Sequence, residues 1–296
     1  MSKLANRLLI FFIGVPLVVS FTFINFCNFL PLQALVFLFA GLSVMEFSNI
    51  LSKKFAVQNK YFVLLLCYFI LFITSSQIYI GFNSDIIIFS IFLALSLCFL
   101  CEIFSKKNAE NNFALSIQRI TTSLLTILYS GYFFSFIIKM TSKSWFMGSP
   151  NLQNPIVNSI YMTLFLVIVF GTDSFAWFFG MLFGKNNRGY IKASPNKSIA
   201  GFVGGIIATI IVVFLITRYI PLFDQYFSHI SNWEIVSLTL VTSIFAIIGD
   251  LIESVIKRAV DVKDSGNIIP GRGGILDSVD SLLLAAPVFY LLVKIF

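Results

Sequence analysis

The stretch GDLIESVIKRAVDVKDSGNIIPGRGGILDSVD, residues 249–280, decides how the chain folds, because one long apolar segment ends inside it and another begins. It carries the acids Asp250, Glu253, Asp264, Asp277 and Asp280 and the cations Lys257, Arg258, Lys263 and Arg272 around a PGRGG turn. Almost everything before it is apolar. Charged groups packed beside hydrocarbon are costly unless they meet something of opposite charge. The stretch therefore reads as two membrane helices joined by a polar loop, with chemistry concentrated at one membrane face.

Composition agrees with that reading. Of the 296 residues 58% are hydrophobic and 11% charged, and the mean hydropathy is +0.94. These values lie far outside the range of soluble domains. Apolar runs of spanning length predict an all-α, polytopic membrane helical bundle of about nine transmembrane helices. They fall near 8–26, 29–51, 61–80, 85–104, 120–139, 156–180, 198–217, 235–256 and 279–296. Pro16 is expected to kink the first helix and Pro31 to turn the chain into the second. The start MSKLANR has the charge of a signal peptide but no small-residue cleavage pattern follows, so the first run is expected to be a retained helix. No polar stretch is long enough to bury a core of its own. The chain is thus expected to be a single integral-membrane domain over 1–296, with N-terminal helices in 1–140 and catalytic helices and cytoplasmic loops in 156–296.

Basic residues set the orientation. With the N-terminus in the cytoplasm, sixteen of the twenty Lys and Arg residues face the cytoplasm; only Lys139, Lys143, Arg218 and Lys294 lie on the far side. The net charge of +7 is then loop bias, not a nucleic-acid surface. Cys98 and Cys101 form a CxxC inside an apolar run without partner ligands, which points to packing, with neither zinc nor disulfide. His229, the sole histidine, lies in an outer loop and rules out histidine-rich chemistry. Asn196-Lys197-Ser198 fits a glycosylation pattern but falls on the cytoplasmic side.

Helical spacing sorts the acids. Asp250, Glu253 and Lys257 fall within roughly 60° of one another on one helix face, with Ser254 beside them. A Glu253–Lys257 bridge at i, i+4 explains Glu253 as well as a site would, whereas Asp250 needs a cation, either a metal or a lysine. Asp277 and Asp280, three apart, repel each other unless a divalent ion lies near. Their hard oxygens suit Mg²⁺; helix capping is the competing account and covers Asp277 better than Asp280. Between these acids, Gly266, Gly271, Gly273 and Gly274 permit turns whose amides can cradle phosphate, although a basic loop facing anionic headgroups needs no catalytic role. Upstream, GTDSFAWFFG puts Asp173 inside an apolar run, a functional candidate by its position. Ser194, Pro195, Lys197 and Ser198 form a turn into the seventh helix, either an anion site or a simple cap. Gly201 and Gly205 form a GxxxG expected to be a close helix contact. Glu46, near the cytoplasmic end of the second helix, is a weaker candidate.

These residues resemble a known family. Ser254-x-x-Lys257-Arg258, Lys263-Asp264-x-Gly266, Pro270-Gly271-x-Gly273-Gly274 and Asp277-x-x-Asp280 resemble the C-terminal signature of phosphatidate cytidylyltransferase, or CDP-diacylglycerol synthase. Asp173 and the SPNKS segment resemble its upstream polar motif. The resemblance covers roughly 171–283, and the N-terminal helices fit only in number and apolar character. Departures are Arg272, where the family usually has histidine; Ser278, where it has arginine; and Ala200, where a glutamate is often seen.

The resemblance implies that CTP and phosphatidic acid give CDP-diacylglycerol and pyrophosphate for phospholipid synthesis, with Mg²⁺ required and room for a second cation. It places Asp250, Asp277 and Asp280 at the metal. Lys257, Arg258, Lys263, Asp264 and Arg272 take catalytic roles, and Asp173, Ser194, Pro195, Lys197, Ser198, Gly273 and Gly274 bind substrate. Expected partners are CTP, phosphatidic acid, membrane lipid and a second copy of the chain in a homodimer, with no nucleic acid. The expected location is a bacterial inner membrane, active site toward the cytoplasm. Another CTP-using membrane enzyme, a polyprenol kinase or a relative of CDP-archaeol synthase, is the nearest alternative. An ion-coupled transporter lined by Asp173, Asp250 and Asp280 is a further one, disfavoured because the acids bunch at one end.

Overall fold

The computed structural model describes residues 13–105, 113–142, 155–269 and 273–296. In chain order its α-helices are α1 (Val15–Phe21), α2 (Leu30–Leu51), α3 (Lys60–Ile80), α4 (Asp85–Ile103), α5 (Ala114–Thr126), α6 (Phe133–Lys139), α7 (Pro155–Phe183), α8 (Ile199–Tyr219), α9 (Pro221–Phe227), α10 (Asn232–Ala259) and α11 (Leu276–Ile295). A π-helical turn, Ile127–Tyr132, joins α5 to α6 into one apolar rod. Eight rods among the described residues are long and apolar enough to cross a membrane, and the chain is an integral membrane protein. The expected first span is represented here by α1 alone; its beginning lies outside the described residues.

Local chemistry places the helix ends. Pro31 occupies the first turn of α2, where its missing N–H costs nothing. Asn59 caps α3 by accepting from the Tyr61 amide, and Gly81 ends it in the left-handed conformation at φ 74°. The Ser198 side chain accepts from Gly201 N and caps α8. At the other end of α8, the Arg218 guanidinium donates to the carbonyls of Phe227 and Ile230 and to Asn232 Oδ1. That clasp fixes the short α9, which hydropathy alone does not reveal.

The chain forms two compact units. One contains Ile24–Ser142 together with Ala259–Ser278. Its core gathers Val44, Val63, Leu66, Cys67, Ile70, Ala94, Cys98 and Ile127, so Cys98 is a packing residue as its apolar setting suggests. Gly131, in the π turn, admits Cys67: a Cβ there would stand 2.8 Å from the thiol sulfur. Beside this core the Arg119 guanidinium meets Glu102 at 2.8 Å, both side chains at most 7% exposed, while Gln58 Nε2 also donates to Glu102. Removing one member of a buried pair strands the other charge, at about 3–5 kcal/mol. Arg119→Met should accordingly lower the unfolding temperature in detergent sharply, and Arg119→Met combined with Glu102→Met should recover most of the loss. Equal stability of the single and double variants would show that the pair is not coupled.

The other unit contains Val15–Phe23, the described part of Lys143–Arg258, and Val279–Phe296. Here α8 lies directly on α7. A Cβ at Gly201 would stand 2.6 Å from the Ala176 carbonyl oxygen, and one at Gly205 2.9 Å from Ala176 Cβ. The GxxxG is thus a close helix contact, as its spacing predicts. A hydroxyl chain backs it up: Thr172 Oγ1 donates to Ser243 Oγ at 2.9 Å, linking α7 to α10 next to Asp173.

Candidate active site

In the second unit, α7, α10, α11 and the turn before α8 bring four carboxylates into one neighbourhood. Asp280, on α11, is 6% exposed and lies within electrostatic reach of Asp250, Glu253 and Asp173. Among the described residues its carboxylate accepts one hydrogen bond, from the amide of Ser281 at 2.7 Å, and no cation pairs with it. The Ser281 hydroxyl in turn reaches both oxygens of Asp173 at 3.2 and 3.3 Å. One residue therefore orients two acids, its N–H holding Asp280 and its O–H holding Asp173.

Two lysines offset part of this charge. Lys197, from the SPNKS turn, forms an ion pair with Asp250, so the cation that Asp250 requires is a lysine in this arrangement. Glu253, fully buried, is bridged at 2.5 Å by Lys257 at i, i+4, the internal pair that helical spacing allows. Lys257, to which the resemblance gives a catalytic role, thus stands beside a carboxylate of its own helix. Arg258 is exposed and donates to the Ala193 carbonyl at 3.3 Å. Ser198 serves as the α8 cap, while Ser194 and Pro195 shape the turn through their carbonyls, which accept from Lys197 N and Gly189 N.

The first unit holds the described part of Ala259–Ser278, the connection from α10 into α11, and a second group of acids. Asp277 Oδ2 accepts from Ser265 N, Ser265 Oγ and Gly274 N at 2.7–2.9 Å. This is the capping role that spacing allows, extended to anchor the loop. Gly273, at φ 114°, exchanges both backbone hydrogen bonds with Ile269. The amides of Gly273 and Gly274 are therefore spent on internal bonds here, not presented as a phosphate cradle. Lys263 and Asp264 are exposed on the loop. Arg272, with Pro270 and Gly271, lies outside the described residues.

Glu46 is the residue that sequence reasoning underrates. It is 6% exposed and accepts from Ser265 Oγ, Ile275 N and Leu276 N at 2.9–3.0 Å. Two others escape it altogether. Ser281 follows Asp280 but looks like any small polar residue at a helix start. Gly249 precedes Asp250, and its place against α11 sets how near Asp250 and Asp280 can come: a Cβ there would lie 2.6 Å from the Asp280 carbonyl oxygen. A glycine just before an intramembrane acid is the one available signal.

Comparison with known proteins supplies a family. A model described as the cytidylyltransferase family matches residues 5–296. The chain is 30% identical over 291 residues to the phosphatidate cytidylyltransferase of Bacillus subtilis (strain 168), covering 96% of each chain. It is 41% identical over 132 residues to the protein of that name from Staphylococcus epidermidis, covering 45% of this chain and 48% of the relative. The figures for Staphylococcus aureus (strain COL) are 40% over 134 residues, with the same shares.

Proposed function

The chain belongs to the cytidylyltransferase family, and on that premise we propose how its polar residues serve the family's chemistry. The protein transfers a cytidylyl group from CTP to phosphatidic acid, giving CDP-diacylglycerol and pyrophosphate. A phosphatidate oxygen forms a bond to the CTP α-phosphorus while the bond from that phosphorus to the β-phosphate bridge oxygen breaks. Little covalent work falls to the protein, so positioning and charge neutralisation dominate.

The observation that carries the site assignment is Asp280: a buried carboxylate among three others, held by one described amide and by no described cation. Such a group is costly unless a cation completes it. Asp280 fits a hard divalent ion, which takes one or two carboxylates and fills its shell with water and phosphate oxygens; Asp250 would join it only by exchanging Lys197 for the ion. No three Asp, Glu, His or Cys side chains among the described residues form a metal-holding group, so in this reading the remaining positions of the shell fall to water and substrate phosphate. When bound, Mg²⁺ would neutralise charge on the transferring phosphates.

The chain's own residues do the rest. Lys197 spends one of its three N–H donors on Asp250 and has others to offer a phosphate. Ser281 keeps Asp173 and Asp280 aimed. The resemblance gives Lys263, Asp264 and Arg272 of the first unit's loop a catalytic part, and the basic-residue bias favours the cytoplasmic side for that loop. Phosphatidic acid would enter sideways from the membrane. Bacterial relatives support a bacterial inner membrane.

The test is to incubate the purified full chain with radiolabelled CTP, Mg²⁺ and phosphatidic acid and to identify the lipid product. Labelled CDP-diacylglycerol is expected, and excess EDTA should stop its formation. Label appearing only on a polyprenol or archaeal-type lipid would replace this substrate assignment, and turnover undiminished in EDTA would remove the divalent ion.

A further inference from the structure

Glu46 lies on α2, far in sequence from every residue of the family signature, yet its carboxylate is built into the signature's loop. Oε1 accepts from Ile275 N at 3.0 Å, and Oε2 accepts from Leu276 N and Ser265 Oγ, both at 2.9 Å. The loop leaves space for it with two glycines. A Cβ on Gly266 would stand 2.5 Å from Oε1, and one on Gly274 would collide with Oε2. Among the described residues no cation pairs with Glu46. Its charge is met by amides at the start of α11 and by one hydroxyl.

A buried carboxylate with no cation among the described residues is an expensive way to hold a loop, since an amide or hydroxyl would satisfy some of the same donors. What only a carboxylate provides is acceptors on both oxygens, facing donors from two sides, with negative charge at a helix N-terminus. Ser265 is shared: its hydroxyl lies 2.9 Å from Glu46 Oε2 and also 2.9 Å from Asp277 Oδ2. That hydroxyl has one proton to give, so it serves one carboxylate at a time, while Asp277 also holds the segment through the Ser265 amide at 2.8 Å. Lys263 and Asp264 immediately precede Ser265.

We propose that Glu46 is a positioning residue for nucleotide binding, clasping the first turn of α11 and the loop 263–277 from the N-terminal helices. This rests on the reading of that loop as the CTP-contacting segment, and it gives the N-terminal helices a specific part in holding that loop. Glu46 touches no reacting atom. It acts through Ser265, Ile275 and Leu276 on the residues beside them.

Glu46→Gln is the sharpest variant, nearly equal in shape but with an NH₂ where one acceptor stood, so that a donor faces a donor. In the full-length protein, hydrogen–deuterium exchange over 263–277 should rise at least tenfold while α3, α4 and α8 exchange as before. The KM for CTP should rise about tenfold or more, with kcat and the KM for phosphatidic acid within about threefold of wild type. Ser265→Ala, which removes one of the three donors and leaves the two amide bonds, should shift both measures in the same direction by less, and it covers the case in which Glu46→Gln does not fold. Unchanged exchange over 263–277 in the folded variants would overturn the clasp, whatever the substrate proves to be. Faster exchange with an unchanged KM for CTP would leave the clasp and overturn its role in nucleotide binding. A wild-type protein that turns over no CTP fails the parent reading, and the exchange result still stands by itself.

Discussion

Asp280→Asn should reduce cytidylyl transfer about 10³-fold or more while leaving the protein at least as stable as wild type. The two halves of that expectation come from the same cause. Asp280 is buried among Asp250, Glu253 and Asp173, so its charge works against folding until a cation is present. Asparagine keeps the size and can still accept from Ser281 N, but it removes the repulsion together with the hard anionic ligand. Loss of one preorganised electrostatic contact in a water-poor site is worth on the order of 10²–10³ in rate, and loss of the proposed metal ligand would add to it. A readout independent of turnover separates this from general damage. Mg²⁺ should raise the unfolding temperature of wild type, and that rise should vanish in Asp280→Asn. Activity within tenfold of wild type, or an undiminished Mg²⁺ effect, would remove Asp280 from the site. Asp277→Asn makes an instructive contrast, because Asp277 Oδ2 already takes three donors from the loop. Its activity loss should come with faster exchange over the loop, which Asp280→Asn should not show.

Much of this architecture is legible in the sequence because membrane helices advertise themselves by length and hydropathy. The runs read at 29–51, 61–80, 85–104 and 156–180 match α2, α3, α4 and α7 within about three residues at each end. The rod read at 120–139 begins earlier, at Ala114, because its first turns carry Ser116, Gln118 and Arg119, polar residues that hydropathy discards and the Glu102 pair retains. Spacing likewise finds Glu253 and Lys257 on one face, since that contact is local. What spacing cannot find is a contact between distant segments. Glu46 and Ile275 are 229 residues apart and Lys197 and Asp250 are 53 apart. Each end reads separately as an oddity, and only the fold pairs them. The glycine-rich turn shows the converse: its amides are equally suited to phosphate or to a carboxylate, and in the folded chain Asp277 takes that of Gly274.

Gly249→Ala should cost about 10²-fold in turnover, although the added group is one methyl on a residue that contacts no substrate. In α10 the glycine faces α11 so closely that a Cβ would stand 2.6 Å from the Asp280 carbonyl oxygen and 3.2 Å from Leu284 Cβ. The first of these is backbone, which cannot turn aside as a side chain tip can, so relief requires the two helices to separate. Separation moves Asp250, the next residue on α10, away from Asp280, whose own carbonyl is the obstacle. A displacement of about 1 Å in a reacting constellation is worth on the order of 10²-fold. The stability penalty should be smaller, about 1–3 kcal/mol from overpacking, offset in part by the gain of roughly 1 kcal/mol in helix propensity when alanine replaces glycine. Gly171→Ala is the matched control. It lies in α7 of the same unit, two residues from Asp173, but its Cβ would meet Thr209 at an ordinary 3.6 Å. That variant should turn over CTP normally. If both alanines are equally active, the distance between α10 and α11 does not govern the chemistry, and the placement of Asp250 beside Asp280 is a consequence of packing alone.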